Sequence, residues 1–231
     1  VAGSAGRWRL QATQSLDHLQ REIEQQSRLV GSQRPITQMH WGGGTPTYLD
    51  NAQITELMHM LASHFRLLDK DYRQYSIEID PRTIDLGTIA LLKGIGFNRI
   101  SLGIQDFDPL VQQAVNRIQP YEMVAPLVDK IRSHHFRSLS FDLIYGLPLQ
   151  SPASMEQTLA KVLALDPDRI SCYSYAHLPD VFSSQRSIDR MQLPSADAKL
   201  EVLHAIIDTL TDAGYLYVGM DHFVKPEDEL A

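Results

Sequence analysis

The sequence lacks several features that mark extracellular, membrane-bound or nucleic-acid-binding proteins. It has one cysteine, Cys172, in 231 residues, which excludes an internal disulfide framework and any metal site built from several cysteines of this chain. No uncharged apolar run approaches the ~18 residues of a membrane span, and the first residues lack the apolar segment of a secretory signal. The net charge is −7 without a Lys/Arg cluster, which argues against nucleic acid or anionic membrane as main partner. We therefore expect a cytoplasmic protein.

Two hydrophobic periodicities alternate along the chain. Short runs typical of β-strands lie at Ile36–Trp41, Tyr75–Ile79, Arg99–Ile104, Ser138–Tyr145, Arg169–Tyr175 and Tyr215–Met220. Between them, apolar residues follow the i, i+3, i+4, i+7 spacing of amphipathic helices. Alternating βα units predict a parallel sheet with right-handed crossovers. No low-complexity linker divides the chain, so we expect residues 1–231 to form one domain.

Capping residues support these helices. Asp50 with Gln53, and Ser154 with Gln157, have the spacing of an N-cap and its partner three residues later, each before an apolar stripe. Gly96 is placed to end a helix before the next strand. The pattern predicts helices that begin near residues 51 and 155.

Polar residues at the strand ends distinguish between two α/β architectures. They are Gly42–Thr45, Glu78 and Asp80, Gln105 and Asp106, Asp142, and His177. A (β/α) barrel collects functional groups at the carboxyl ends of many successive strands, whereas a doubly wound sheet concentrates them at one switch point. The distribution favours a barrel with parallel strands and outer helices, and an incomplete one.

The run Gly42-Gly43-Gly44-Thr45 directly follows the first predicted strand. Three glycines let a backbone approach a ligand closely, but they also occur in tight turns. The run lacks the lysine of a phosphate-binding loop and the spacing of a dinucleotide-binding motif. The run is therefore either a ligand contact or a structural turn. Ordering three glycines costs conformational entropy, which favours the ligand contact.

Three charged residues are candidate ligand contacts. Glu78 and Asp142 alternate with apolar residues on strands that look buried, and a buried carboxylate needs a partner or a ligand. An ion pair with a neighbouring strand explains each of them equally well. Arg117 has the geometry to bind a ligand carboxylate through two nitrogens, or it is a solvated or helix-capping residue.

Metal-binding and nucleophile patterns are weak. The chain has nine histidines, but none is in an H-x-H or H-E-x-x-H spacing, so a zinc site is unsupported. Cys172 lies inside an apolar strand, where an inert core thiol is expected.

Seven segments occur together in the order of one known family. They are Gly42–Pro46, Ile77–Pro81, Gly103–Phe107, Asn116–Arg117, Asp142–Pro148, Tyr175–Pro179 and Gly219–Phe223. In this order the chain resembles the oxygen-independent coproporphyrinogen III oxidases of the radical S-adenosylmethionine (SAM) superfamily. The resemblance covers nearly the whole chain. The Gly-Gly-Gly-Thr-Pro run also occurs in related haem chaperone-like proteins, whereas the Gln-Asp-Phe, Tyr-Ala-His-Leu-Pro and Gly-Met-Asp-His-Phe segments indicate the oxidase branch.

The resemblance implies a radical reaction in haem biosynthesis. The family cleaves SAM at a 4Fe–4S cluster held by a C-x-x-x-C-x-x-C motif after the first barrel strand. The deoxyadenosyl radical starts the decarboxylation of two propionates of coproporphyrinogen III to vinyl groups, giving protoporphyrinogen IX. The family also implies two SAM molecules, an electron donor for the cluster and a monomer.

The resemblance also implies binding residues. By motif position, Gly43 and Glu78 would contact the SAM on the cluster. The positions that would contact the second SAM are Gly44, Thr45, Gln105, Arg117, Asp142 and Ala176. No metal ligand or catalytic residue of this chain follows from the motifs.

The chain departs from the family pattern at the cluster. It has no cysteine before Cys172, so it lacks the three cluster ligands. We expect that the strand bearing them and the family's C-terminal domain are also absent from this chain. We expect a fragment that holds no cluster and does not turn over alone. A haem chaperone-like paralogue, and an unrelated barrel hydrolase or aldolase using Glu78, Asp142 and His222, are the competing interpretations.

Overall fold

The computed structural model describes residues 2–31 and 33–231, which divide into two compact units. The first unit comprises the chain up to Ile79, with Thr83–Ile100 and His134–Phe136. The second comprises Asp80–Arg82, Ser101–Ser133 and Arg137–Ala231. In the described ranges, no helix combines the length and apolar character that crossing a bilayer requires.

The first unit combines short parallel strand pairs with three helices. Its elements are α1 (Ala2–Val30), β1 (Pro35–Ile36), β2 (Gln38–Trp41), a 3₁₀-helix (Pro46–Tyr48), α2 (Asn51–His64), β3 (Arg66–Leu67), β4 (Gln74–Ile79) and α3 (Leu86–Gly94). β1 pairs with β3, and β2 pairs with β4, both in parallel. The predicted strand Ile36–Trp41 is therefore divided between two partners.

Alternation along β4 sets which side chains are available for a site. Tyr75, Ile77 and Ile79 are buried, whereas Ser76 and Glu78 are partly exposed. Successive strand residues point to opposite faces, so the two polar residues lie on one face of β4. In the register of β2 and β4, His40 is opposite Ser76.

The second unit continues the βα alternation and ends in a hairpin. Its elements are β5 (Arg99–Gln105, whose first two residues belong to the first unit), α4 (Pro109–Ala114), α5 (Tyr121–Ser133), β6 (Ser138–Tyr145), α6 (Pro152–Ala164), β7 (Arg169–Ser174), 3₁₀-helices at Ser183–Ser187 and Arg190–Gln192, α7 (Ala196–Asp212), β8 (Leu216–Gly219) and β9 (His222–Val224). The strand order is β5-β6-β7-β9-β8. β6 and β7 are parallel, whereas β9 is antiparallel to both β7 and β8.

The last predicted strand is present, but its pairing differs from the expected parallel one. The run Tyr215–Met220 contains β8, and the prediction lacks β9, which follows it and lies between β7 and β8. The connection is short because Met220 and Asp221 both have positive φ, 48° and 64°. Two such residues suit the tight turns of β-hairpins. A Met-Asp pair is not a usual signal for them.

One of the two predicted helix caps is also wrong. Asp50 caps α2 as expected, with reciprocal hydrogen bonds to Gln53 of 2.9 and 3.1 Å. Helix α6 is capped by Ser151, which exchanges hydrogen bonds with Ser154, so Ser154 is the third helical residue and not the cap. The reason is Pro152, whose fixed φ and missing N–H suit the first helical position.

Candidate functional site

The glycine loop after β2 contains two different kinds of glycine. Gly43 and Gly44 have φ of +75° and +61°, and a Cβ on either would meet no other atom within 4 Å. They are therefore needed for backbone conformation. At Gly42 a Cβ would lie 2.4 Å from His40 Nε2 and 2.6 Å from Glu78 Oε1. Gly42 is needed because those two side chains lie against the loop backbone.

Glu78 is held by two donors of the first unit. The Glu78 Oε1 atom lies 3.1 Å from His40 Nε2, and the backbone N–H of Gly43 donates to Oε2 at 3.2 Å. The Glu78 side chain is 41% exposed, so the expectation of a buried carboxylate is wrong. The reason is that the β4 face that carries it is only partly covered. The contact with His40 of β2 agrees with the alternative interpretation, in which Glu78 pairs with a neighbouring strand.

A cavity of about 860 Å³ adjoins this loop in the first unit. It is lined by Leu16 and Leu19 of α1, by Trp41, Gly42 and Gly43, and by Leu57 of α2, among others. Thr45 also lines it and immediately precedes the 3₁₀-helix, where its carbonyl accepts the Tyr48 N–H at 2.9 Å. The loop therefore faces a space large enough for a small organic ligand.

Arg117 is anchored to a carboxylate within the second unit. Its Nη1 lies 3.2 Å from Asp80 Oδ2, and its Nη2 donates to the Gly103 carbonyl at 2.9 Å. Arg82 binds the same carboxylate through Nη2 at 2.7 Å and through Nε at 3.0 Å. The solvated and helix-capping interpretations of Arg117 are therefore wrong. Its Nε is buried and has no hydrogen-bond partner among the described residues.

The electrostatics of this cluster keep Asp80 ionised. Burial alone would raise the pKa of Asp80, but hydrogen bonds from Arg82 and the charges of Arg117 and Arg82 lower the pKa below its ordinary value. Burial lowers the pKa of Arg117, and Asp80 opposes that shift. With Asp80 only 8% exposed, the cluster is a partly buried network with a net positive charge.

Of the other predicted contacts of the second unit, Gln105 and Ala176 lie at or beside strand ends, and Asp142 lies within a strand. Gln105 ends β5 with a φ of +65°. Asp142 lies in β6, is partly exposed, and its Oδ2 accepts a hydrogen bond from Ser101 at 2.8 Å. Ala176 follows β7, and its carbonyl accepts from Gln185 at 3.1 Å. As for Glu78, the expectation that Asp142 is buried is wrong, because β6 carries it on its less covered face.

Asp106 has a structural role beside Gln105. Its carboxylate accepts hydrogen bonds from Thr158 and Gln150, each at 2.5 Å, and from the Asp108 N–H at 2.7 Å. Burial raises the pKa of Asp106 despite these bonds. The side chain ties the end of β5 to α6 and is too enclosed to reach a ligand.

Cys172 cannot serve as a reactive thiolate in the folded protein. It is buried in β7, and burial raises the pKa of its thiol. Within the described ranges, no three His, Cys, Asp or Glu side chains are grouped so that they could hold a metal ion. The core thiol expected from the sequence is confirmed.

The family of the chain follows from its similarity to known proteins. Residues 14–162 match the Radical SAM superfamily, which is more than half of the chain. The chain belongs to the radical SAM superfamily. The archaeal Elp3 protein of Methanocaldococcus infernus shares the fold, with a TM-score of 0.59 at 15% identity over 80% of this chain and 48% of that one. The α/β class with parallel strands, predicted as a radical SAM (β/α) fold, is confirmed.

Within the superfamily, the chain is similar to one group of enzymes. It is 51% identical over 216 residues to the oxygen-independent coproporphyrinogen III oxidase of Pseudomonas aeruginosa, covering 94% of this chain and 47% of that protein. The Escherichia coli K12 protein of the same name is 48% identical over 220 residues, covering 95% and 48%. The solved E. coli coproporphyrinogen III oxidase, described as a radical SAM enzyme, gives a TM-score of 0.90 at 46% identity over 95% of this chain and 50% of that one. The chain spans about half the length of these relatives.

Sequence reasoning missed several residues that organise the site. The histidine spacings address only metal binding and indicate no role for His40, and no motif singles out Ser76 or Arg82. The alternation of β4 places Ser76 on the same face as Glu78, which is a usable sequence signal for Ser76. The role of His40 depends on the register of β2 against β4, and that of Arg82 depends on the turn after β4, so neither has such a signal.

Proposed function

We propose that this chain is the SAM-binding core of an oxygen-independent coproporphyrinogen III oxidase. The observation that carries the proposal is the likeness to the E. coli oxidase, with a TM-score of 0.90 at 46% identity over 95% of this chain. The substrate is a porphyrinogen, two of whose propionates become vinyl groups in the full-length enzyme. We further propose a cytoplasmic monomer that receives electrons from a separate donor.

Gly43 and Glu78 are proposed to bind one SAM molecule. SAM carries an ammonium and a sulfonium cation, and Glu78 is a partly exposed carboxylate with one donor on each oxygen. Each oxygen accepts more than one hydrogen bond, so the carboxylate retains capacity for an ammonium group. Gly42 keeps the loop backbone close to that carboxylate. Bound SAM supplies the 5′-deoxyadenosyl group of the radical reaction.

A second SAM molecule is proposed for the second unit. Arg117 and Asp142 offer the opposite charges that the carboxylate and ammonium of an amino acid require, and the buried Nε of Arg117 is a donor that still needs an acceptor. Gln105, at the end of β5, adds an amide. Gly44, Thr45 and Ala176 stay predicted contacts that rest on the resemblance.

The residues of this chain do not fit a 4Fe–4S cluster. Its one cysteine is buried, and the described residues hold no group of three potential metal ligands. We propose that this chain alone neither holds a cluster nor cleaves SAM. Anaerobic reconstitution with iron and sulfide tests this: we expect neither cluster absorbance nor deoxyadenosine, and cluster-dependent SAM cleavage would refute the proposal.

The function is tested on the full-length protein. The anaerobic enzyme is incubated with SAM, a reductant and coproporphyrinogen III, and we expect carbon dioxide release and a product that oxidises to protoporphyrin IX. A Glu78→Gln variant should lose most of this activity. Tight retention of haem without decarboxylation would instead identify a haem chaperone.

A further inference from the structure

His40 connects both polar residues of the exposed β4 face. Its Nε2 lies 3.1 Å from Glu78 Oε1, and its Nδ1 lies 2.8 Å from Ser76 Oγ. The parallel register makes this possible, because His40 is the residue opposite Ser76 and Glu78 is two positions further along the same face. The three side chains form a row that leads to the glycine loop.

The partners fix where the imidazole carries its proton. An ionised carboxylate only accepts hydrogen bonds, so Nε2 must be protonated to bond Glu78. Ser76 Oγ also lies 3.4 Å from the Met39 carbonyl. The hydroxyl either donates to Nδ1 of a neutral ring, or accepts from Nδ1 of a protonated ring and donates to Met39. In both states His40 donates to Glu78.

The ring also restrains the Glu78 carboxylate, at the oxygen that the loop does not bind. His40 Nε2 fixes Oε1, and Gly43 N–H fixes Oε2, so the two donors set the plane of the carboxylate from two elements. The His40 and Glu78 side chains lie so close to Gly42 that there is no space for a Cβ on this residue. Without His40, only one oxygen would keep its partner, and the carboxylate would rotate about its last torsion, which has a broad preference.

We propose that His40, held by Ser76, is a positioning residue that orients Glu78 to receive the cationic part of SAM. The inference rests on the proposed function, because it concerns the same SAM molecule. His40 does not itself need to touch the ligand. Because His40 already orders the Glu78 side chain, Glu78 loses less conformational entropy when SAM binds, which is the effect of preorganisation.

Calorimetric titration of the full-length protein with SAM tests the proposal. We expect His40→Leu to weaken binding about fivefold, the order expected for one partly exposed hydrogen bond to a charged group. His40→Gln should restore most of the affinity, because a glutamine amide offers a donor near the position of Nε2. His59→Leu, on the exposed face of α2, is the matched control and should bind as the wild type does.

The outcomes separate this proposal from the proposed function. Failure of the wild type to bind SAM would refute both. Wild-type affinity in His40→Leu, or equal losses in His40→Leu and His40→Gln, would overturn only the positioning role. Should His40→Leu not fold, Ser76→Ala decides, with a smaller loss of affinity supporting the proposal and an unchanged dissociation constant overturning it. In turnover assays the KM for SAM should rise while the KM for the porphyrinogen stays constant.

Discussion

Replacing Gly42 by alanine should separate ligand binding from stability. The added Cβ would lie 2.4 Å from His40 Nε2 and 2.6 Å from Glu78 Oε1. Both atoms are at the ends of side chains that can move, and Gly42 does not have the positive φ of its neighbours Gly43 and Gly44. The backbone therefore tolerates alanine, and the pair of side chains must give way.

The size of the effect follows from the distances. A contact of 2.4 Å must open by about 1 Å to reach ordinary van der Waals separation. When the two side chains move away from the Cβ in different directions, the His40–Glu78 hydrogen bond of 3.1 Å is lost. Because both side chains are partly exposed, their hydrogen bond contributes about 1 kcal/mol. Loss of this amount from the binding free energy weakens the affinity for a cationic ligand roughly fivefold. The free energy of unfolding should fall by no more than about 1 kcal/mol, because only this partly exposed hydrogen bond is lost.

The assay compares SAM titration with thermal unfolding of the full-length protein. Gly94→Ala is the control, because Gly94 ends α3 and a Cβ there meets nothing within 4 Å. It should leave binding unchanged and raise stability slightly, since alanine favours helix. A Gly42→Ala protein that binds SAM as the wild type does, or that loses several kcal/mol of stability, would refute the reasoning.

Three further predictions concern buried groups. Asp80→Asn should lower the free energy of unfolding by about 2 kcal/mol at pH 7, measured in urea, because Arg117 and Arg82 lose their charged partner. Folding lowers the pKa of Asp80, so the ionised carboxylate stabilises the protein at pH values above the ordinary Asp range. This stabilisation is lost as pH falls through the pKa of the folded state, and the stability of the asparagine variant should not show that decrease. For Asp106 the pH dependence is opposite, because folding raises its pKa. The wild type should lose stability as pH rises from the ordinary Asp range through the pKa of the folded state. Urea titrations of Asp106→Asn should show no such decrease in stability. Cys172 should react with a thiol reagent at least ~100-fold more slowly in the folded protein than in urea, and rapid labelling of the folded chain would contradict its burial.

The fold was largely predictable because its strands are short apolar runs at regular spacing. The runs at residues 75–79, 99–104, 138–145 and 169–175 each correspond to a strand within a residue or two. The hairpin of β8 and β9 was not predictable, because its turn uses Met220 and Asp221 with positive φ. The start of α6 failed for a local reason, since two serines three residues apart compete for the cap and Pro152 decides between them.

The site was predictable only as separate residues. The motifs indicate Gly43 and Glu78, and the structure joins them by a hydrogen bond. The bond between Arg117 and Asp80 joins residues 37 positions apart, and hydrophobic patterns carry no information on such pairs. His40 was missed for a similar reason, because its role depends on the register of β2 against β4 and not on its neighbours in sequence.

The same register makes ligand binding a test of correct folding. A slip of one residue between β2 and β4 would carry Ser76 and Glu78 to the opposite face of β4, where neither could meet His40 or the Gly43 N–H. Any ligand that Glu78 and Gly43 hold together binds only chains with the native strand alignment. At a concentration of about 100 times its dissociation constant, such a ligand stabilises the native state by ~2.7 kcal/mol relative to misaligned forms that do not bind it.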